Sequence, residues 1–159
     1  LVLEAENGGV LTDDFDEVNS IVSGANFGWP KVFGPGLQTL TRTNHVDGFT
    51  DPWFHYPRNT GASCVGALIY RASASGKGFP EKYRGALFYA DFSRKSIRTA
   101  SVNPKTGKTG PGEAFLQGLP AGPLAMQLGK DGAVYFITHG GGAKSSTNDS
   151  VARIVWKQP

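Results

Sequence analysis

Cysteine is nearly absent: Cys64 is the only one in 159 residues. A single thiol makes neither an internal disulfide nor a cysteine-based zinc site. Charge is also sparse. Asp, Glu, Lys and Arg make up 18% of the chain, against a usual share of about 25%. The 16 cations and 13 anions leave a net charge of +3, and the cations are scattered without a basic block. A dispersed small excess gives no footing for nucleic acid or an anionic membrane as partner. Apolar runs are only a few residues long, so no transmembrane helix is expected. Sustained 3.6-residue periodicity is lacking too, and the one helical segment expected is a short turn at Glu81–Tyr83. Leu1 rather than Met opens the sequence, which fits a processed chain or an internal piece.

Glycine is abundant: 22 residues, twice the usual rate of about 7%. Hydrophobic residues reach 39% and aromatics 11%, enough for a packed core. Short apolar segments alternate with Gly, Pro, Asn and Asp turn signals. Val18–Val22 alternates weakly. Gly66–Tyr70, Gly85–Phe92, Ser96–Val102, Leu124–Leu128, Ala133–Thr138 and Val151–Trp156 read as strands, because they alternate and are rich in β-branched or aromatic residues. Gly85-Ala86-Leu87-Phe88-Tyr89 returns 47 residues later as Gly132-Ala133-Val134-Tyr135-Phe136. Each copy leads into a strand with an arginine, Ser96-Ile97-Arg98 and Val151-Ala152-Arg153-Ile154. An all-β repeat of about 40–50 residues is the period of a propeller blade. The expected fold is therefore an all-β propeller, with about three blades in residues 1–159. Three blades do not close a ring. The rest of the propeller, or a second chain, is expected to cover two apolar end faces.

Three motif blocks occur in order. Glu6-Asn7-Gly8-Gly9, Asp16-Glu17-Val18-Asn19 and Gly24-Ala25-Asn26-Phe27-Gly28-Trp29-Pro30 form the first. Pro52-Trp53-Phe54-His55-Tyr56-Pro57 with Gly66-Ala67-Leu68-Ile69-Tyr70 forms the second. Phe79-Pro80-Glu81-Lys82-Tyr83-Arg84-Gly85-Ala86-Leu87-Phe88-Tyr89-Ala90-Asp91 and the later Gly129-Lys130-Asp131-Gly132-Ala133-Val134-Tyr135 form the third. Together they resemble the C-terminal half of the glucose/sorbosone dehydrogenase family, the soluble quinoprotein sugar dehydrogenases.

The resemblance implies a six-bladed propeller that binds pyrroloquinoline quinone (PQQ) with Ca²⁺ at the mouth of the central axis. It implies oxidation of the C1 hydroxyl of an aldose, or of a related sugar aldehyde, with a histidine base and hydride transfer to the quinone. The family's catalytic histidine would lie upstream of Leu1; His45, His55 and His139 do not match it. The carbonyls that hold the cofactor calcium match Gly8 and Gly9, with Val10–Phe15 as an insertion after them. Arg94 or Lys95 matches the basic quinone ligand. Glu17 matches a structural calcium ligand, with Phe27 supplying a backbone carbonyl. One carboxylate with carbonyls suits Ca²⁺ rather than zinc, although Asp16-Glu17 could equally bond turn amides. His55 and Tyr56 match the loop at the mouth where aromatics meet the sugar, held by Pro52 and Pro57. Gly122 and Leu124 stand where the family carries an Arg-x-Arg pair. Neither can replace the bidentate grip of arginine on a carboxylate. The family also implies a periplasmic or secreted location.

The departure at Gly122 and Leu124 keeps a second class open: a non-catalytic propeller that binds carbohydrate or another protein. Other residues read as structural. Trp29-Pro30 and Trp53 are expected to pack blades. His139 with Gly140-Gly141-Gly142, continuing through Lys144–Ser150, reads as an inter-strand loop, because Walker spacing is missing. Asp131-Gly132 is a turn pair. Cys64 reads as a small buried hydrophobe. Asn148-Asp149-Ser150 has the form of a glycosylation sequon.

Overall fold

The computed structural model describes residues 1–9, 14–35, 48–71, 78–140 and 149–157. Among them, ten strands form three antiparallel sheets, the consecutive blades of a partial β-propeller. The first sheet is β1 (Leu3–Glu6), β2 (Phe15–Ser20) and β3 (Phe54–Pro57), in that order. The second is β4 (Cys64–Ile69), β5 (Leu87–Asp91), β6 (Ser96–Val102) and β7 (Thr109–Leu116). The third is β8 (Gly122–Leu128), β9 (Val134–His139) and β10 (Ser150–Ile154). Each sheet is a meander, so neighbours in sequence are neighbours in space.

The 47-residue repeat has a structural counterpart. Gly85 and Gly132 both adopt positive φ, +76° and +81°. That conformation favours glycine. Each turns the chain into the second strand of its sheet, β5 or β9. The Glu81–Tyr83 segment is a 3₁₀ turn just before the first of these glycines.

The central sheet is buried on both faces. Leu87, Tyr89 and Ala100 pack with Val18, Phe54 and Tyr56 of the first sheet. Phe88 and Ile97 pack with Val134 and Phe136 of the third. All five β5 residues are consequently buried, which explains a strand that reads apolar nearly throughout.

Three strands are not legible in the sequence as such. β1 carries glutamates at alternate positions, and β7 contains Gly110, Pro111 and Gly112. Proline is tolerated in β7 because it is the edge of its sheet. A Cβ at Gly112 would run into the Tyr89 hydroxyl, and one at Gly110 into Ser101. The prolines around β3 suggest a rigid loop. Instead Phe54–Pro57 pairs with β2, because its prolines sit only at or beyond the strand ends.

The two end faces differ. On the third sheet Ile137 and Val151 face each other across β9 and β10 and are exposed, Val151 at 76%. On the first sheet Glu17 and Asn19 are buried, and the 26–34 segment folds back to them, its Gly34 N–H donating to Glu17 Oε1. Among the described strand residues, large exposed apolar side chains are thus seen on the third sheet and not on the first. Trp29 is 67% exposed, beside Phe33, so among the described residues it is not seen packed between blades. Trp53 does pack against the first core and anchors its indole N–H on Gly107 O at 2.8 Å.

Candidate functional site

Antiparallel pairing brings one set of strand ends together. The C-terminal ends of β1, β3 and β5 meet the N-terminal ends of β2, β4 and β6, by the pairs Glu6–Glu17, Phe15–Pro57 and Asp91–Ser96. Gly122 begins β8 nearby, in contact with Phe92. Gly8, Asp16, Tyr56, Cys64, Asp91, Arg94 and Lys95 therefore share one rim.

Two buried carboxylates organise this rim. Asp16 Oδ1 accepts from Gly8 N at 2.8 Å and from Arg58 Nη1 at 2.8 Å, and its Oδ2 accepts from Cys64 N at 3.2 Å. Asp91 Oδ2 accepts from Ala62 N at 2.7 Å and from Tyr56 OH at 3.2 Å, while Oδ1 accepts from Arg94 N at 2.8 Å. Each carboxylate thus fixes one loop carrying a candidate cofactor residue. Burial pushes the Asp91 carboxyl up from its ordinary range, against the pull of the Arg94 and Ala62 amides. Tyr56 and Cys64 are also pushed up, chiefly by burial. Both are neutral at physiological pH. The reading of Cys64 as a buried small residue agrees with its 1% exposure.

Arg94 and Lys95 are exposed. Arg94 Nη2 reaches Asn59 O at 3.2 Å, and Lys95 Nζ reaches Pro120 O at 3.4 Å. Both spend at least one donor on a backbone carbonyl. At Gly122 the Phe92 ring occupies the space a side chain would need. Leu124 is part-exposed and apolar. Neither position supplies a cation.

Glu17 lies on the other face of β2 from Asp16. Its Oε1 accepts from Gly34 N, while its Oε2 is buried without a hydrogen-bond partner. Asn19 Oδ1, two residues along the same face, is also buried and unpartnered. Burial, only partly offset by the Gly34 amide, pushes the Glu17 carboxyl up to about 7. Phe27 sits in the segment that covers this face, lining a hollow with Glu4, Glu6 and Asn7. Two orphaned oxygens on one face fit a hard cation. Among the described residues, no group of three or more His, Cys, Asp or Glu side chains gathers for a metal.

A family model described as Glucose / Sorbosone dehydrogenase matches residues 2–147. The chain belongs to this family. No curated protein sequence matches it. Among solved structures it is similar to a glucose dehydrogenase-type oxidoreductase from Thermus thermophilus, at 24% identity and TM-score 0.69, covering 95% of this chain and 40% of that one. A crystal structure of glucose dehydrogenase matches at 21% identity and TM-score 0.71, with 98% and 41% covered. The PQQ-bound aldose sugar dehydrogenase of Streptomyces coelicolor matches at 19% identity and TM-score 0.63, with 95% and 38% covered. At these identities the likeness shows the fold. The chain spans about 40% of the length of the structures it matches.

For a chain of the glucose/sorbosone dehydrogenase family, the remaining sequence-derived residues fall as follows. Gly8 and Gly9 lie on the rim in the loop after β1, and a Cβ at Gly9 would run into the Asp14 carboxylate. Most of the Val10–Phe15 insertion, residues 10–13, lies outside the described residues, as do His45, Gly141, Gly142, Lys144 and Asn148. His55 and Tyr56 stand on opposite faces of β3. Tyr56 is buried against Asp91, whereas His55 is exposed and edge-on to Phe15, with ring centroids 5.3 Å apart. His139 Nδ1 lies 3.2 Å from Asp149 at the mouth of its loop. Asp131 accepts from Ala133 N and Tyr135 OH, as a turn residue should. Asp91 and Arg58 are the residues whose roles sequence reasoning misses. Nothing in their neighbours signals them, since their partners come from other strands.

Proposed function

We propose that the chain is part of a quinone-dependent sugar oxidoreductase that oxidises the C1 hydroxyl of an aldose, or a related sugar aldehyde. Membership of the glucose/sorbosone dehydrogenase family carries this reading. The completing blades, from elsewhere in a longer chain or from a second chain, would bring the histidine base. When bound, PQQ with its Ca²⁺ supplies the two-electron acceptor. Of the residues in hand, the Gly8 and Gly9 carbonyls would hold the cofactor calcium, and Arg94 or Lys95 one side of the quinone. His55 is the exposed side chain offered to a sugar, with Tyr56 locked behind it. Glu17, with the Phe27 carbonyl, would hold a second, structural Ca²⁺. An exported setting, periplasmic or secreted, accompanies the reading.

The test is reconstitution of the complete protein with PQQ and Ca²⁺, followed by absorbance and by dye reduction with a panel of aldoses. Quinone uptake and sugar-dependent reduction are expected. No uptake and no turnover on any sugar overturns the proposal. The structural calcium is tested separately: chelation should lower the unfolding temperature, and an unchanged temperature removes Glu17 and Phe27 from metal binding.

One observation favours a second reading. Phe92 fills the space beside Gly122, so the quinone's carboxylates find cations on only part of the rim. A non-catalytic carbohydrate- or protein-binding propeller then follows. Sugar binding without quinone uptake in the same experiment would select it.

A further inference from the structure

A second hollow shares His55 and Tyr56 with the candidate sugar-facing strand, but none of Gly8, Gly9, Arg94 or Lys95 lines it. It opens between β3 of the first blade and β6–β7 of the second, with a volume of about 500 Å³. Cavities of this size accept small molecules. Pro52, Trp53 and Pro111 give it apolar walls, and Tyr89 and Arg98 also line it. Strand register explains the last pair. Tyr89 and Arg98 are directly opposite on β5 and β6, so both point toward the first sheet.

The two side chains lie against each other. Tyr89 is fully buried, and beyond its contact with Arg98 its hydroxyl has no hydrogen-bond partner. Arg98 Nε is buried too, with no backbone or carboxylate partner. The two terminal nitrogens of Arg98 reach only backbone carbonyls, Thr60 O at 3.4 Å and Gly112 O at 3.1 Å. Among the described residues, no carboxylate forms a salt bridge with Arg98. A part-buried guanidinium without a counter-ion, its neighbour a hydroxyl that can also donate, leaves a cation at the hollow where a ligand anion is wanted. Burial pushes the Tyr89 hydroxyl up to about 12, against the pull of the Arg98 charge and hydrogen bond, so it keeps its proton to donate. The glycine opposite is part of the arrangement, because a Cβ at Gly112 would strike the Tyr89 hydroxyl.

We propose that this inter-blade hollow binds a small organic carboxylate, its carboxyl group on Arg98 and Tyr89 and its carbon skeleton against Trp53 and the flanking prolines. The proposal does not depend on quinone or on turnover.

Calorimetric titration of the complete protein, without quinone, with gluconate, benzoate and methyl benzoate tests it. At least one of the two carboxylates should bind, and the uncharged ester should bind at least tenfold more weakly than benzoate if benzoate is the one bound. Arg98→Met should weaken binding at least tenfold and Tyr89→Phe severalfold. Arg98→Lys, which keeps the charge but loses the Nε donor, guards against a misfolded Met variant and should also weaken binding. Thermal unfolding is recorded for each variant. Absence of carboxylate binding at millimolar concentration overturns the proposal. So does binding that survives Arg98→Lys and Tyr89→Phe in folded protein, or an ester that binds as tightly as benzoate.

Discussion

The two faces of the central blade are held by different physics. Toward the third blade, the contact is aromatic. Tyr70 and Phe79 stack at 4.7 Å, and Phe88 meets Phe115 edge-on at 4.9 Å. The buried Tyr70 hydroxyl accepts from Phe79 N at 2.7 Å and donates to Gly132 O at 2.9 Å. Toward the first blade, an apolar core of Val18, Phe54, Leu87 and Tyr89 gives way at the rim to Asp16, Asp91, Tyr56 and Cys64. The aromatic face depends chiefly on size and shape. The polar face depends on Asp16 and Asp91 being matched by donors, since a buried carboxylate left unpaired is costly. The candidate site lies at the polar end because there the fold holds charges in fixed places.

The contrast can be broken most severely on the aromatic side. Phe88→Ala removes a fully buried ring from the middle of that cluster and should cost about 3–5 kcal/mol in denaturant unfolding. A loss below about 1 kcal/mol would mean that the second and third blades do not rely on this packing. On the polar side, Asp91→Ala strands the Ala62 and Arg94 amides and the Tyr56 hydroxyl. It should cost about 2–3 kcal/mol. Hydrogen exchange should also speed up in residues 59–63 and 92–95 but not in β9. Uniform exchange changes would argue that the two faces are not separable. Tyr70→Phe sharpens the comparison from the other side. It deletes a polar bridge of the aromatic face and should cost about 1 kcal/mol, with the stacking on Phe79 kept.

The smallest effect is a slope with pH. The Glu17 carboxyl is raised from 4.5 to about 7 in the folded chain. The folded state therefore holds this proton more tightly than the unfolded state does. Its contribution is fully present below pH 4.5 and is lost as pH rises through 7. Metal-free protein should lose stability across that window, and Glu17→Gln should flatten the loss. Excess Ca²⁺ should reverse it near neutral pH if the ion binds there. An unchanged slope in Glu17→Gln assigns the titration elsewhere.

The aromatic face is legible in the sequence and the polar face is not. β5, β6 and β9 announce themselves through alternation and bulk, and the 47-residue repeat marks two of them as equivalent. β1, β3 and β7 do not. Glutamates, flanking prolines and glycines hide strands whose character comes from what lies beside them. Gly112 is glycine because the Tyr89 hydroxyl approaches it, a constraint set 23 positions away in the chain. The same limit applies to the rim. Gly8, Gly9, Arg94 and Lys95 can be named from motif order. That Asp16 and Asp91 hold their loops cannot, because each carboxylate bonds amides brought in by other strands.

Sequence alone determined the family, the all-β class and the blade rhythm, because these depend on local patterning and on motifs in a fixed order. Tertiary structure alone decided that Tyr56 is buried while His55 is exposed, that Phe92 closes the space at Gly122, and that Arg98 has no carboxylate salt bridge among the described residues. The physical reason is the same in each case. Periodicity reports which way a side chain points, but its partner is chosen by strand register and by the packing of one sheet on the next.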